Sequence, residues 1–260
     1  VVTKEPSRKL IQSVIDNFSN GKKKESIVEL ESLIMDYPLS PLLLNVCGTL
    51  YNSNGQLDLA VSKYKQALIL KSDYAEVHYN LGVTFRKLNK IEESLKSYKN
   101  AISIKNEYPD AHYNLGNTLF SLKQYDGAIK HYLLAIAFNP SFVEAYNNLG
   151  ATLKGLGEYN EAAKYLQKAL QIKPEYVDAC NNLGAVLNIL GEYKHAKKHL
   201  EKAIEIQPEF LSSYKNLALT FQELGDIKQE INCFKKLVEL EKNPGDAYQN
   251  LARLFVVLGD

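Results

Sequence analysis

The chain has 260 residues, of which 45% are apolar, so it holds enough apolar material for one large domain or two ordinary ones. Its 31 basic and 30 acidic residues give a formal charge of +1, which argues against nucleic acid as the main partner, because phosphate binding needs a basic surface. The longest apolar runs, such as YLLAIAF at residues 132–138, are too short to span a bilayer, so we expect no membrane segment.

The three cysteines, Cys47, Cys180 and Cys233, are widely separated and show no CxxC spacing. An odd number of scattered cysteines is typical of free thiols in a reducing compartment, which predicts a cytoplasmic protein. The chain opens with VVTKEP, without Met and without a secretory signal, as expected of an excerpt or a processed chain.

A repeat of 34 residues organises the chain after a short N-terminal tail at residues 1–6. From Ser7 onward no insertion or deletion breaks the register, so we predict a single domain over residues 7–260. The units are 7–40, 41–74, 75–108, 109–142, 143–176, 177–210 and 211–244, followed by a partial unit at 245–260.

The first half of each unit has one apolar face at positions 4, 7, 8 and 11, which is the spacing of an amphipathic helix. We call it helix A. Position 4 is mostly aromatic, histidine or cysteine, and position 11 is aromatic or leucine. Position 7 is Leu81, Leu115, Leu149, Leu183, Leu217 and Leu251, and position 8 is Gly48, Gly82, Gly116, Gly150, Gly184, Ala218 and Ala252.

The second half repeats a different face at positions 20, 24, 27 and 28, which predicts helix B. Alanine recurs at positions 20 and 27, and a tyrosine or leucine at position 24. Gly at position 8 and Ala at position 20 allow helices A and B to approach closely. Gly at position 15, as in Gly55 and Gly157, ends helix A, and Pro at position 32, as in Pro140 and Pro174, ends helix B.

The unit at residues 211–244 departs from this pattern. It has Glu230 at position 20, Leu237 at position 27 and Lys242 in place of proline. A carboxylate at a close helix crossing is unfavourable unless it turns outward or is paired, so we expect local widening there. The first unit also departs, with Ser13 at position 7 and Asn17 at position 11, as terminal repeats often do.

The set of positions 4, 7, 8, 11, 20, 24, 27 and 32 resembles the tetratricopeptide repeat (TPR), over nearly the whole chain. The resemblance implies an all-α fold, a right-handed α-solenoid (superhelix) of helix-turn-helix units, with helix A on the concave side. It also implies a protein that holds peptides or partner proteins in that groove.

Position 6 carries an asparagine in six successive units: Asn80, Asn114, Asn148, Asn182, Asn216 and Asn250. An amide side chain offers one acceptor and two donor protons, which matches the C=O and N–H of a peptide backbone. This row resembles the asparagine ladder of O-linked N-acetylglucosamine transferases, which holds substrate polypeptide. The alternative is that these asparagines serve solubility or bond within their own repeats.

Neighbouring positions on the same face complete the predicted groove. Positions 5 and 9 contribute Tyr79, Tyr113, Asn147, Asn181 and Asn117. Acidic residues recur at position 2, either to favour the helix dipole or to form an acidic wall that prefers basic or neutral ligands. Lys215 is the only lysine at position 5 and has Leu219 at position 9, so the carboxylate clamp of chaperone-binding TPR proteins is absent.

We find no catalytic constellation, no nucleotide-binding or hydrolase motif, and no reason to expect a cofactor. His195 and His199 have an i, i+4 spacing that metal sites use, but a solvated outer face explains them better. The first hypothesis is therefore a non-enzymatic scaffold. The alternative is the substrate-recruiting arm of a larger transferase, with a catalytic domain beyond residue 260. Self-association through residues 245–260 is a third expectation.

Overall fold

A computed structural model describes residues 5–259 as α-helices joined by short turns. The helices are α1 (Arg8–Ser19), α2 (Lys23–Asp36), α3 (Pro41–Ser53), α4 (Leu57–Leu70), α5 (Ala75–Lys87), α6 (Ile91–Ile104), α7 (Pro109–Ser121), α8 (Tyr125–Phe138), α9 (Val143–Gly155), α10 (Tyr159–Ile172), α11 (Val177–Ile189), α12 (Tyr193–Ile206), α13 (Leu211–Leu224), α14 (Ile227–Leu240) and α15 (Gly245–Leu258). Within this part of the chain there is no β-strand, and the predicted all-α solenoid of helix-turn-helix repeats is confirmed.

The helix bounds follow the 34-residue register. Each helix A from α3 onward begins at position 1 of its unit, and each helix B occupies positions 17 to 30. Helix α1 begins one residue late, at Arg8, where the Ser7 hydroxyl accepts a hydrogen bond from the Leu10 amide at 3.3 Å. In the predicted tail, Pro6 is buried and the Ser40 hydroxyl donates to the Glu5 carboxylate, while residues 1–4 lie outside the described part.

The turn between helices A and B needs a left-handed backbone at position 15. Glycine takes this conformation in most repeats, with φ of 79° at Gly55 and 84° at Gly157. The same conformation occurs at Asn89 (φ 58°) and Lys123 (φ 60°), where the sequence has no glycine. The turn geometry is therefore kept even where the residue is a poor match for it.

The described residues divide into two compact units, one with α1–α8 that ends at Phe138 and one with α9–α15 that begins at Asn139. In each unit, neighbouring helices A contact each other, as α3 does with α5 and α9 does with α11, and the exception among the described residues of the second unit is the pair α13 and α15. Among the described residues of each unit, no helix B contacts the helix B of an adjacent repeat. Helices A therefore lie on the inner side of each stack. The single domain over residues 7–260 stays a prediction.

Small residues allow the two helices of a repeat to touch, as the pattern predicts. A Cβ added to Gly82 would lie 2.5 Å from the Tyr98 ring, and one added to Gly184 would lie 2.5 Å from Leu200 Cγ. These contacts join position 8 of helix A to position 24 of helix B. The alanines at positions 20 and 27 are fully buried at Ala60, Ala67, Ala128, Ala135, Ala162, Ala169, Ala196 and Ala203.

The first repeat packs through a shifted face. Its buried apolar residues on helix A are Ile11, Val14 and Phe18, which stand at positions 5, 8 and 12. Ser13 and Asn17, at the usual core positions 7 and 11, are more exposed. Helix α1 is therefore rotated about its axis relative to the face that the repeat pattern predicts. This explains why the first unit fits the pattern poorly and still covers the apolar face of the next unit.

Candidate functional site

In both units, asparagines of position 6 are joined to position 5 of the preceding repeat. In the first unit, Asn80 Nδ2 donates to Asn45 Oδ1 at 2.9 Å, and Asn114 Nδ2 donates to the Tyr79 hydroxyl at 3.2 Å. The second unit has the same bond from Asn182 to Asn147 at 3.0 Å and from Asn216 to Asn181 at 2.9 Å. These bonds form a row of amides along the helices A of each unit, which we call the amide row.

Each bond in the amide row uses one proton of the position-6 amide. Asn114 also donates to the Asp110 carbonyl four residues earlier at 2.9 Å, and Asn250 donates to the Asp246 carbonyl in the same way at 2.8 Å. The side-chain oxygens of Asn80 and Asn216 accept no hydrogen bond from any residue within 5–259. The packing therefore holds the amides in place through their nitrogen and leaves these oxygens available.

Asn148 and Asn182 have further polar neighbours. Asn148 Oδ1 accepts from Asn147 Nδ2 at 3.2 Å. Asn182 Oδ1 lies 3.4 Å from Lys154 Nζ, and burial lowers the pKa of Lys154. Because Asn147 and Asn181 are buried, these two position-5 residues support the row rather than forming its open surface.

The aromatic residues predicted for the groove are packed against other rings. The Tyr79 ring centroid lies 5.1 Å from that of Tyr108 and 6.1 Å from that of Tyr98. Tyr113 lies 6.1 Å from Tyr132, and the Tyr132 hydroxyl donates to Asn117 Oδ1 at 2.8 Å. Burial raises the pKa of Tyr79. Tyr79, Tyr113 and Asn117 thus tie helix A to the helices packed against it.

A second polar row was missed at the level of sequence. It joins position 12 of one repeat to position 10 of the next: Arg86 Nη1 donates to Thr118 Oγ1 at 3.1 Å, and Thr220 Oγ1 donates to Asn188 Oδ1 at 2.9 Å. Asn52 likewise donates to Thr84. The available signal is the threonine that recurs at position 10, as Thr84, Thr118, Thr152 and Thr220.

Charges along the face are mainly acidic at position 2. Glu76, Asp110, Glu144, Asp178 and Asp246 are exposed in the first turn of their helices, where the helix dipole favours them. Glu76 also accepts from Asn45 Nδ2 at 3.1 Å. Lys215 is paired with Glu241 at 2.7 Å, so its charge is compensated within the chain.

The histidines of the outer helices do not gather metal ligands. His195 Nδ1 lies 3.1 Å from a Glu192 carboxylate oxygen, and both side chains are exposed. Within residues 5–259, no group of three or more histidine, cysteine or acidic side chains is placed to hold a metal ion. The three cysteines are free and buried. No helix in this part of the chain is both long enough and apolar enough to cross a membrane.

Several solved structures are similar to the chain. The crystal structure of YrrB, a TPR protein with an unusual peptide-binding site, is 25% identical over 72% of this chain and 96% of its own, with a TM-score of 0.61. The crystal structure of MamA is 26% identical over 62% of this chain and 95% of its own, with a TM-score of 0.58. PilF of Pseudomonas aeruginosa, at 19% identity, covers 82% of this chain and 96% of its own with a TM-score of 0.72, and it shows the fold alone.

No curated protein matches the chain. Family models do match it along most of its length. Those described as TPR repeat cover residues 48–88, 84–123 and 116–157, and those described as tetratricopeptide repeat cover residues 141–209 and 211–244. Together with the helix bounds and the glycine contacts, these matches show that the chain belongs to the tetratricopeptide repeat family.

Proposed function

We propose that this chain is a protein-interaction scaffold whose amide row holds an extended peptide by its backbone. The observation that carries the proposal is the fixed position-6 amide, whose nitrogen is bound to the preceding repeat while its oxygen remains available at Asn80 and Asn216. A peptide N–H could donate to such an oxygen without the side chain losing further conformational freedom on binding.

The proposal gives the two halves of the amide different roles. The nitrogen of Asn80 and Asn216 aligns neighbouring helices A, and the oxygen receives the ligand. Backbone recognition of this kind tolerates many side chains. The similarity to YrrB, which has a peptide-binding site, supports a peptide ligand. The exposed acids of position 2 favour basic or neutral peptides over acidic ones.

The test uses twelve-residue peptides selected for binding from a phage-displayed library, and it measures their affinity by fluorescence anisotropy. Asn216→Ala removes one available acceptor, so we expect affinity to fall about 2- to 10-fold. Stability should also fall, because Asn181 loses the hydrogen bond that its buried oxygen accepts from Asn216.

The matched control is Asn181→Ala. This substitution breaks the same inter-repeat hydrogen bond and also the one from Ser213, so it should lower the melting temperature at least as much. It leaves the Asn216 oxygen in place, although less firmly held, so peptide affinity should fall less than in Asn216→Ala. Equal loss of affinity in both variants would show that the row acts only by aligning the helices, and the proposal would then be wrong.

The alternative function is a substrate-recruiting arm of a larger transferase, in which the same row would lead a polypeptide towards a catalytic domain beyond residue 260. The favouring observation is the asparagine row itself, because it resembles that of O-linked N-acetylglucosamine transferases. The coding sequence downstream decides between the two. Under either function, we expect calorimetry to show no binding of a sugar nucleotide to this chain.

A further inference from the structure

A cavity of about 270 Å³ opens in the second unit beside helices α13, α14 and α15. Its apolar floor comprises Ala218, Phe234, Leu237 and Ala247. The exposed side chain of Leu219 forms one wall. An apolar cavity of about 150 Å³ is enough to hold a benzene molecule, so a large aliphatic or aromatic side chain fits here.

The cavity has a cause in the sequence of its own repeat. Leu237 occupies position 27, where alanine stands in the five preceding repeats, and Glu230 occupies position 20, which is mostly alanine. Both side chains are buried. The Glu230 carboxylate on α14 lies 3.1 Å from Arg253 Nη2 on α15, so its negative charge is compensated.

Helix α15 makes no direct contact with α13. Helix α9 contacts α11 and α11 contacts α13, whereas no Cα atom of α13 lies within 8 Å of one in the described part of α15. The sequence predicts local widening at Glu230, and the missing helix A contact lies in this same repeat. The cavity occupies this place in the unit.

The cavity opens on the same face as the amide row. Leu219 and Gln222 stand at positions 9 and 12 of α13, and Asp246 and Asn250 at positions 2 and 6 of α15. Asn250 is thus both the last member of the asparagine series and part of the cavity wall. A peptide held by the amide row of α11 and α13 would pass the cavity as it continues towards α15.

The charge around the opening is unbalanced. Lys215 is compensated by Glu241 at 2.7 Å. The exposed carboxylate of Asp246 has no ion-pair partner among residues 5–259. The rim therefore carries one uncompensated negative charge next to an apolar cavity, which complements a cation beside an apolar group.

We propose that this cavity is an anchor site for a peptide residue of leucine or phenylalanine size that is followed by lysine or arginine. The apolar side chain enters the cavity, the cation lies against Asp246, and Asn250 with Gln222 holds the backbone on either side. This inference rests on the proposed peptide-binding function and names the ligand that the second unit selects.

The test uses three fluorescein-labelled nine-residue peptides with a common Gly-Ser-Thr background and amidated ends, whose central pair is Leu-Lys, Ala-Lys or Leu-Glu. By anisotropy, Leu-Lys should bind about tenfold or more tightly than Ala-Lys, because only leucine fills the cavity. It should bind about threefold more tightly than Leu-Glu.

Two surface variants test the same site with the fold intact. Leu219→Ser should remove most of the preference for leucine over alanine, whereas the matched Leu156→Ser, also exposed and in the same unit, should leave it unchanged. Asp246→Lys should reverse the preference between Leu-Lys and Leu-Glu. Melting curves confirm that each variant folds.

The outcomes separate the two proposals. Equal affinity for Leu-Lys and Ala-Lys would overturn the anchor site and leave backbone recognition standing. If none of the peptides binds, N-acetyl-leucinamide is titrated and the backbone amides of Ala218, Ala247 and Asn250 are followed by NMR. Shifts confined to these amides would support the anchor site although the peptide function had failed, and no shifts would overturn it.

Discussion

At the scale of single residues, helices A and B approach closely where position 8 of helix A meets position 24 of helix B. An added Cβ at Gly184 would lie 2.5 Å from Leu200 Cγ, and Leu200 is fully buried. Alanine is present at this position only in the last two units, as Ala218 and Ala252. The repeat with Ala218 carries Phe234 instead of leucine at position 24, so its helices meet through a different pair of side chains.

We predict that Gly184→Ala lowers the free energy of unfolding by about 1–3 kcal/mol, because it overpacks the crossing. The control is Gly155→Ala in α9, where no atom lies within 4 Å of the added Cβ. That variant should be neutral or stabilised by about 0.5–1 kcal/mol, since alanine favours helix. Urea unfolding of both variants measures the difference. Similar stabilities for the two variants would contradict the close contact.

A second residue-scale prediction concerns the turn at Lys123, which has φ of 60°. A left-handed backbone is costly for any residue with a Cβ, so Lys123→Gly should raise the free energy of unfolding by about 0.5–1 kcal/mol. The control is Lys130→Gly in the interior of α8, which should lose about 1 kcal/mol. Thermal unfolding measures the stability of both variants. A lower stability of Lys123→Gly than of the wild type would contradict the prediction, because the Lys123 side chain would then stabilise the fold by more than its left-handed backbone costs.

At the scale of the element, α7 and α8 are joined by a pair of histidines. His112 Nε2 lies 3.0 Å from the Asn106 carbonyl, which can only accept, so this nitrogen carries the proton. The neutral ring then accepts at Nδ1 from His131 Nδ1, 3.0 Å away. Burial lowers the pKa of His112. Burial also lowers the pKa of His131 to about 4, and the neighbouring His112, Lys130 and Lys99 add to this effect.

The pair therefore predicts a loss of stability in acid. Because the pKa of His131 is lower in the folded chain, its contribution is fully present above the unfolded pKa of about 6.5 and is lost as the pH falls towards 4. At pH 5 we expect a loss of about 1–2 kcal/mol, after allowing for solvent screening of a half-buried ring.

The measurement is the free energy of unfolding at pH 7 and pH 5, for the wild type and for His112→Tyr with His131→Gln. Tyrosine is the replacement that the chain itself offers, because Tyr214 at the same repeat position donates to the Pro208 carbonyl at 3.1 Å. The double variant should lose less stability between the two pH values. An equal loss would assign the acid sensitivity to other groups.

At the scale of the whole molecule, the regular part of the fold was predictable because one unit repeats. The positions of Leu, Gly, Ala and Pro indicate where each helix begins and ends. The 34-residue register extends this prediction to the turns at Asn89 and Lys123, where glycine is missing. The asparagine series was visible too. Its pairing with position 5 was not, because Asn182 and Asn147 are 35 residues apart and meet only when repeats stack. The cavity of the anchor site could not be predicted either, because its size depends on the distance between α13 and α15, which the sequence does not give.

The last prediction concerns association between copies of the 260-residue chain. On α15, Leu251 and Leu254 are buried, while Val256, Val257 and Leu258 are at least half exposed. Contiguous exposed apolar residues are typical of interaction surfaces, so we expect the mass measured by light scattering to rise with concentration. Val256→Lys with Val257→Lys should keep the chain monomeric. The control is Met35→Lys on α2, an equally exposed apolar residue, which should associate as the wild type does. A monomer at every concentration would exclude this surface as a site of self-association, and neither result would alter the peptide-binding proposal, because Val256 and Val257 lie outside the residues that line the cavity.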